Sequence, residues 1–373
     1  MNSVTAPRRV LLACDFFLRY ASMLAGGLER AGAEPALLIR DHDEEFGDVA
    51  GAAAAFAADA APAARRIVVP GRVRSPGGLG TALRARRAVR RLAPEVVHLQ
   101  AGIGNDPRLI FAAGARPGRF ALTIHDPVRH PGEAVSRGAA LGNRALLRAA
   151  GLVFVHAEAL REELLATARP RAPIVVVPHG IDPGETVAPP GRPEILFFGR
   201  LGYYKGLDVL LDAMAGVWAE QPQATLTVAG AGDPGHHPAL ADQRVTVRAE
   251  YVPDAEIPEL FAAASCVALP YRQASQSGVG ALAKRHGRPL VVSAVGGLPE
   301  LVADGSGVTV PKEDPAALAT ALLSVLGDRE LAGRLGRAGA ASAAHGADWR
   351  SVAEATLAAY EEHLPVPRRE SGR

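Results

Sequence analysis

Short apolar, β-branched runs alternate with helix-patterned stretches along the first half of the chain: Val10–Ala13, Ala36–Ile39, Ile67–Val69, Val96–Leu99, Phe120–Ile124, Leu152–Val155 and Ile174–Val177. Runs that short with helical patterns between them argue for strands of a parallel sheet sandwiched by helices. The rhythm breaks at Asp182–Pro193, where Pro183, Gly184, Pro189, Pro190, Gly191 and Pro193 crowd together. It restarts with Ile195–Phe198, Leu226–Ala229, Val245–Val247, Val267–Leu269, Leu290–Ser293 and Gly307–Val310. The expected organisation is a first α/β domain over 1–182, a linker over 183–193 and a second α/β domain over 194–345. The length agrees, since 373 residues at roughly 150 per domain ask for about two. Between the first two strands of the second domain, Leu207, Leu210, Leu211, Met214, Val217 and Trp218 form one apolar helix face. In the tail over 346–373, Val352, Leu357 and Tyr360 keep helical spacing, and that helix is expected to pack back on the first domain. In parallel sheets ligands bind beyond the carboxyl ends of the strands, which here predicts a crevice between the two domains.

Composition narrows the function classes. With 48% hydrophobic, 21% charged and 5% aromatic residues, the chain is neither disordered nor a coiled coil. Lys+Arg 41 against Asp+Glu 39 leaves +2, so no charge excess points to nucleic acid. Cys14 and Cys266 lack metal or disulfide spacing and read as buried thiols of a reducing compartment. Val10–Leu12 is too short for a signal segment, and no run reaches the roughly 18 apolar residues of a membrane span, so a cytoplasmic protein is expected. Only Lys205, Lys284 and Lys312 are lysines, against 41 − 3 = 38 arginines. A lysine in a loop therefore stands out, while alanine-rich stretches such as Gly51–Ala64 lose meaning as linkers.

One lysine lies in the most informative segment, Phe197-Phe198-Gly199-Arg200-Leu201-Gly202-Tyr203-Tyr204-Lys205-Gly206-Leu207-Asp208, a strand end, a loop and a helix start. Gly199 and Gly206 permit tight turns, and Arg200 and Lys205 place two cations beside a helix N-terminus, an arrangement suited to phosphate. The competing reading is a pair of surface charges capping a turn.

This segment resembles the GR…KG…LL.A pattern that opens the second domain in family 4 of the glycosyltransferases, nucleotide-sugar enzymes of the GT-B fold. Further segments fit the resemblance in order: Val228–Asp233, Tyr251-Val252-Pro253, Leu269-Pro270-Tyr271, Gly287-Arg288-Pro289 and Gly296–Glu300 in the second domain, and Pro94–Gln100, Leu122–Pro127, Val155–Glu158 and Val177–Asp182 in the first. The resemblance implies two Rossmann-like domains facing a central cleft, transfer with retention, no bound metal and no cofactor beyond the nucleotide-sugar co-substrate. It makes Arg200 and Lys205 the cations that offset the charge of the leaving diphosphate. Gly199, Gly230, Tyr251, Gln276, Ser277, Gly278 and Val279 become donor-binding residues, the last four as amides at a helix start. His125, at the end of a strand, falls where the family has a histidine that hydrogen-bonds the donor sugar. Phe17, Arg19 and Tyr20, after the first strand, and His130 are candidate acceptor contacts, local packing being the other reading of the first three.

One departure stands out. The two glutamates that many family members carry eight residues apart fall at Ala274 and Leu282 here. That substitution motivates the alternative of a non-catalytic GT-B subunit that binds or activates another transferase. A dehydrogenase is disfavoured because no GxGxxG directly follows the first strand. The expected partners are a nucleotide-sugar donor and a small-molecule, glycan or lipid-linked acceptor. Arg84, Arg86, Arg87, Arg90 and Arg91 form either a solvated helix face or a peripheral contact with anionic lipid or acidic acceptor. The sugar, the base and the oligomeric state are not encoded in any local motif.

Overall fold

The computed structural model describes residues 9–41, 43–70, 78–100, 107–125, 137–182, 184, 190–345 and 347–365. They form two compact units, one running from Arg9 to Gly180 and resuming at Trp349, the other spanning Ile181–Asp348.

The first unit holds seven parallel strands: β1 (Arg9–Cys14), β2 (Glu34–Asp41), β3 (Arg65–Pro70), β4 (Val96–Gln100), β5 (Phe120–Thr123), β6 (Leu152–Val155) and β7 (Ile174–Val176). Their order is β3-β2-β1-β4-β5-β6-β7. Side chains alternate across the sheet with a period of two. Val10, Leu12 and Cys14 enter one apolar cluster, shared with the helices Leu18–Arg30 and Trp349–His363. Leu11 and Ala13 enter the other, with Leu109, Leu146 and Leu160 from the opposite helices. Both faces are dry, which is why the strands read as nearly continuous apolar runs.

The second unit repeats the plan with β8 (Glu194–Phe198), β9 (Thr225–Ala229), β10 (Val245–Arg248), β11 (Cys266–Leu269), β12 (Leu290–Ser293) and β13 (Gly307–Val310), ordered β10-β9-β8-β11-β12-β13. Ile195 and Phe197 pack under the helices Leu207–Glu220 and Pro315–Gly327. Leu196 and Phe198 pack on the other face, around Phe261 and Leu298. In each sheet the strand order reverses once, between β1 and β4 and between β8 and β11. Loops diverge at such a switch point, and the space they leave at the carboxyl end is where a ligand can enter. No described helix is long and apolar enough to cross a membrane.

Candidate active site

At the switch point of the second unit, β8 is followed by Gly199 with φ 97, and the chain passes through Arg200 and a single turn, Tyr203–Lys205, before Gly206 at φ 66 starts the next helix. Both glycines are required by space as well as by backbone angle. A Cβ on Gly199 would lie 2.7 Å from Lys205 Nζ and 3.1 Å from Val279 Cγ2, and one on Gly206 would lie 2.1 Å from the Pro270 carbonyl oxygen. Gly199, Lys205 and Val279 are thus brought together, and Gly230, after β9, lies against the Gly199 carbonyl.

Lys205 is only 7% exposed. Its ammonium sits 5.2 Å from the centre of the Tyr271 ring, and no described carboxylate pairs with it. Burial pulls its pKa down, Tyr204 opposes that shift, and Arg200 adds to it. A buried cation without a counter-ion is costly, and an anion arriving here repays the desolvation. Arg200 stands on the exposed side of the same loop.

The turn that carries Lys205 is clamped by Arg272. Its guanidinium donates to Asp208 Oδ1 at 2.8 Å and Oδ2 at 2.7 Å, to Glu313 at 2.9 Å and to the Tyr203 carbonyl at 3.0 Å, while its own N–H donates to the Tyr204 carbonyl at 2.7 Å. The hydrogen bond from Arg272 holds the Asp208 carboxyl below the usual range. Opposite, Ser277 caps the helix Gly278–Arg285 by accepting from Gly280 N–H at 3.2 Å. Gln276 Oε1 is buried without a hydrogen-bond partner. Tyr251 is half-buried beyond β10, two strands from β8. Ala274 and Leu282 both serve the apolar cluster around Phe261, so these two positions carry packing in this chain.

In the first unit, Phe17 has φ 66 and begins the helix Leu18–Arg30. Glu45 caps that helix, accepting from the N–H of Phe17 and, at 3.2 Å, of Arg19. The Arg19 guanidinium lies over the rings of Phe46 and Phe56 at 4.2 and 4.9 Å. Phe17 stacks on His125 at 3.9 Å, and Tyr20 meets His125, His156 and His179 at 4.7, 5.0 and 5.4 Å. Phe17, Tyr20 and His125 therefore form one cluster, while Arg19 turns to a separate aromatic pair. His130 lies outside the described residues.

His125 is 1% exposed. Its Nε2 is 2.8 Å from Gln100 Oε1, its Nδ1 is 3.2 Å from His156 Nε2, and His156 Nδ1 is 3.0 Å from the Val177 carbonyl oxygen. Burial, followed by His156, His179 and His98, holds the His125 pKa well below that of a free imidazole. Among the described residues no group of three His, Cys, Asp or Glu side chains is placed to hold a metal ion.

Two family models match the chain: "Glycosyltransferase Family 4" over residues 19–185 and "Glycosyl transferases group 1" over residues 192–328. The glycogen synthase of Mycobacterium tuberculosis is 31% identical over 299 residues, covering 74% of this chain and 72% of its own length. The chain belongs to family 4 of the glycosyltransferases. Another relative, the D-inositol 3-phosphate glycosyltransferase of Kineococcus radiotolerans, is 32% identical over 273 residues, 63% of this chain and 62% of that protein. This chain thus spans somewhat under two thirds of that relative's length. Two solved structures share the GT-B fold. They are the sucrose-phosphate synthase of Thermosynechococcus elongatus (TM-score 0.73, 20% identity, 95% of this chain and 98% of that one) and HepE of Anabaena in complex with UDP and glucose (0.71, 17%, 96% and 100%).

Within this family 4 chain, sequence reasoning missed four contributors to the site region. Arg272 is one arginine among 38 and carries no local signal. Gln100 ends β4 and His156 directly follows β6, much as many polar residues do. Glu45 lies in a separate segment, and only the fold reveals that it caps the helix after β1.

Proposed function

We propose that this family 4 glycosyltransferase moves a sugar from a nucleoside-diphosphate donor, UDP in the first instance, to an acceptor hydroxyl with retention of configuration. The observation that carries the reading is the buried Lys205 ammonium, unpaired among the described residues and set beside Gly199 at the switch point of the second sheet. The diphosphate of the donor supplies its missing counter-charge. As the bond from the anomeric carbon to the diphosphate breaks, negative charge grows on the leaving oxygens, and Lys205 and Arg200, already in place, stabilise it without reorganisation. The amides of Gly278 and Val279 at a helix start add donors for the same phosphates. The departing diphosphate takes the proton of the attacking hydroxyl, and His125 hydrogen-bonds a substrate hydroxyl.

Support comes from the HepE complexes with UDP and glucose and with UDP-glucose, and from two curated relatives named as a glycosyltransferase and a glycogen synthase. The non-catalytic alternative rested on Ala274 and Leu282, which serve packing here. The test is release of nucleoside diphosphate from a panel of nucleotide sugars with polyol and sugar acceptors, followed by NMR of the product's anomeric proton. Acceptor-dependent release with retained configuration is expected. Release from no donor, or an inverted product, contradicts the reading.

A further inference from the structure

The helix Leu18–Arg30 begins at the switch point of the first sheet, just past the buried Asp15 that follows β1. In an open parallel sheet the start of that helix is the ordinary seat of a phosphate, because its free N–H groups and the helix dipole both favour an anion. Here the chain fills the seat itself. Glu45, from the turn Glu44–Phe46 after β2, accepts from the N–H groups of Phe17, Leu18 and Arg19. One carboxylate thus takes the donors that a bound phosphate would need. Burial raises its pKa, while the same three N–H groups and Arg19 hold it down, so the carboxylate depends on these donors and they on it.

The neighbouring cations are engaged as well. Arg40, at the end of β2, forms an ion pair with Asp15, its Nε 2.8 Å from Oδ1. The Arg19 guanidinium is spread over the rings of Phe46 and Phe56. His125, beyond β5, is kept neutral by burial. Glu45 and Asp15 both lie close enough to Cys14, the last residue of β1, to add to the rise that burial gives its thiol pKa. The two switch points therefore differ in charge. In the second unit Lys205 stands buried with no described carboxylate paired to it; in the first, two carboxylates surround the end of β1 and the two arginines beside them already have partners.

An acceptor that brought a phosphate or carboxylate to this helix start would have to displace Glu45 from three N–H groups and lie against Asp15, whereas hydroxyl groups need do neither. We propose that the acceptor is an uncharged sugar or polyol and that Glu45 is the residue that selects against its phosphate ester. Placing the acceptor here rests on the transfer proposed above; the closure of the anion seat does not.

The seat is tested on the full-length protein labelled with 15N-phenylalanine, whose ten residues give few enough signals for Phe17 to be identified by its loss in Phe17→Tyr. Inorganic phosphate and glucose 6-phosphate are titrated in, with chloride at matched ionic strength as the control. The Phe17 N–H signal is expected to stay in place in the parent and to move saturably in Glu45→Ala. A saturable shift in the parent overturns the proposal even if the variant does not fold, and so does a folded Glu45→Ala whose signal neither anion moves. Selection is tested by kcat/KM for glucose against glucose 6-phosphate and for inositol against its monophosphate, read as UDP release from UDP-glucose. The parent is expected to favour the uncharged acceptor by at least about tenfold. Glu45→Gln, which keeps an oxygen for the N–H groups and loses the charge, is expected to narrow that ratio severalfold. Preference for the ester in the parent, or an unchanged ratio in Glu45→Gln, contradicts the proposal. Absence of turnover with every acceptor bears on the proposed function, and the phosphate titration then decides this inference by itself.

Discussion

Lys205 reaches back across its own turn toward Gly199, so closely that a methyl group at 199 would sit 2.7 Å from Nζ. The contact ties the end of β8 to the one buried lysine of the loop that follows. Gly199→Ala displaces that ammonium and also forces an L residue to φ 97. Lys205→Ala removes it. Each is expected to lower turnover with a nucleotide sugar by at least about tenfold, equivalent to about 1.4 kcal/mol of barrier. Steady-state rates on folded variants check it, and rates within twofold of the parent would argue against a phosphate role.

Arg272 supports this arrangement without any assigned contact to substrate. Its planar fork binds both oxygens of Asp208 while a third nitrogen reaches Glu313. Lysine cannot reproduce a bidentate pair. Arg272→Lys and Arg272→Ala are both expected to weaken nucleotide binding severalfold, measured by titration, whereas a lysine variant with parent-like affinity would show that the clamp is dispensable.

Glu45 holds the start of the helix Leu18–Arg30 through the N–H groups of Phe17 and Arg19. Loss of a capping acceptor costs about 1 kcal/mol, so Glu45→Ala is expected to lower the melting temperature by a few degrees. An unchanged melting curve would mean that water caps the helix equally well.

Acid should destabilise the fold from the histidine range downward. Burial pushes the His98 pKa to about 3, its two nitrogens lying 2.6 Å from the hydroxyls of Tyr360 and Thr123, and burial with Arg285 and Arg288 pushes His286 to about 4. Between those values and the unfolded value of about 6.5, the unfolded chain binds more protons than the folded one. Stability therefore falls as pH falls through that window, with a slope approaching about 1.4 kcal/mol per pH unit from His98 and a smaller one from the half-exposed His286. Melting temperature against pH, compared with His98→Gln, checks this: the variant should show a flatter profile between pH 6.5 and 4.

The sheets were legible because burial on both faces leaves a local trace. Residues such as Leu11 and Leu12 are both apolar, although they enter opposite clusters, and such runs recur at every strand. The arginine-rich bias also made Lys205 visible, and it turned suspicion away from the alanines at 52–60, which form a helix with Ala53 and Ala57 in the core. The surroundings of His125 were not legible in the same way. Gln100, His156 and Val177 lie 25, 31 and 52 residues away, and only the order of β4, β5, β6 and β7 makes their ends neighbours. Tyr20 illustrates the same limit. Singled out only as a residue after the first strand, it belongs to a helix whose buried face turns it toward three histidines.

The central claim is that Lys205 is the buried counter-charge of a donor diphosphate, and calorimetric titration of UDP and UDP-glucose into the parent protein and Lys205→Ala tests it most directly. Saturable binding to the parent and at least tenfold weaker binding to the variant are expected, with both proteins melting at similar temperatures. Equal affinity in the two proteins would contradict it.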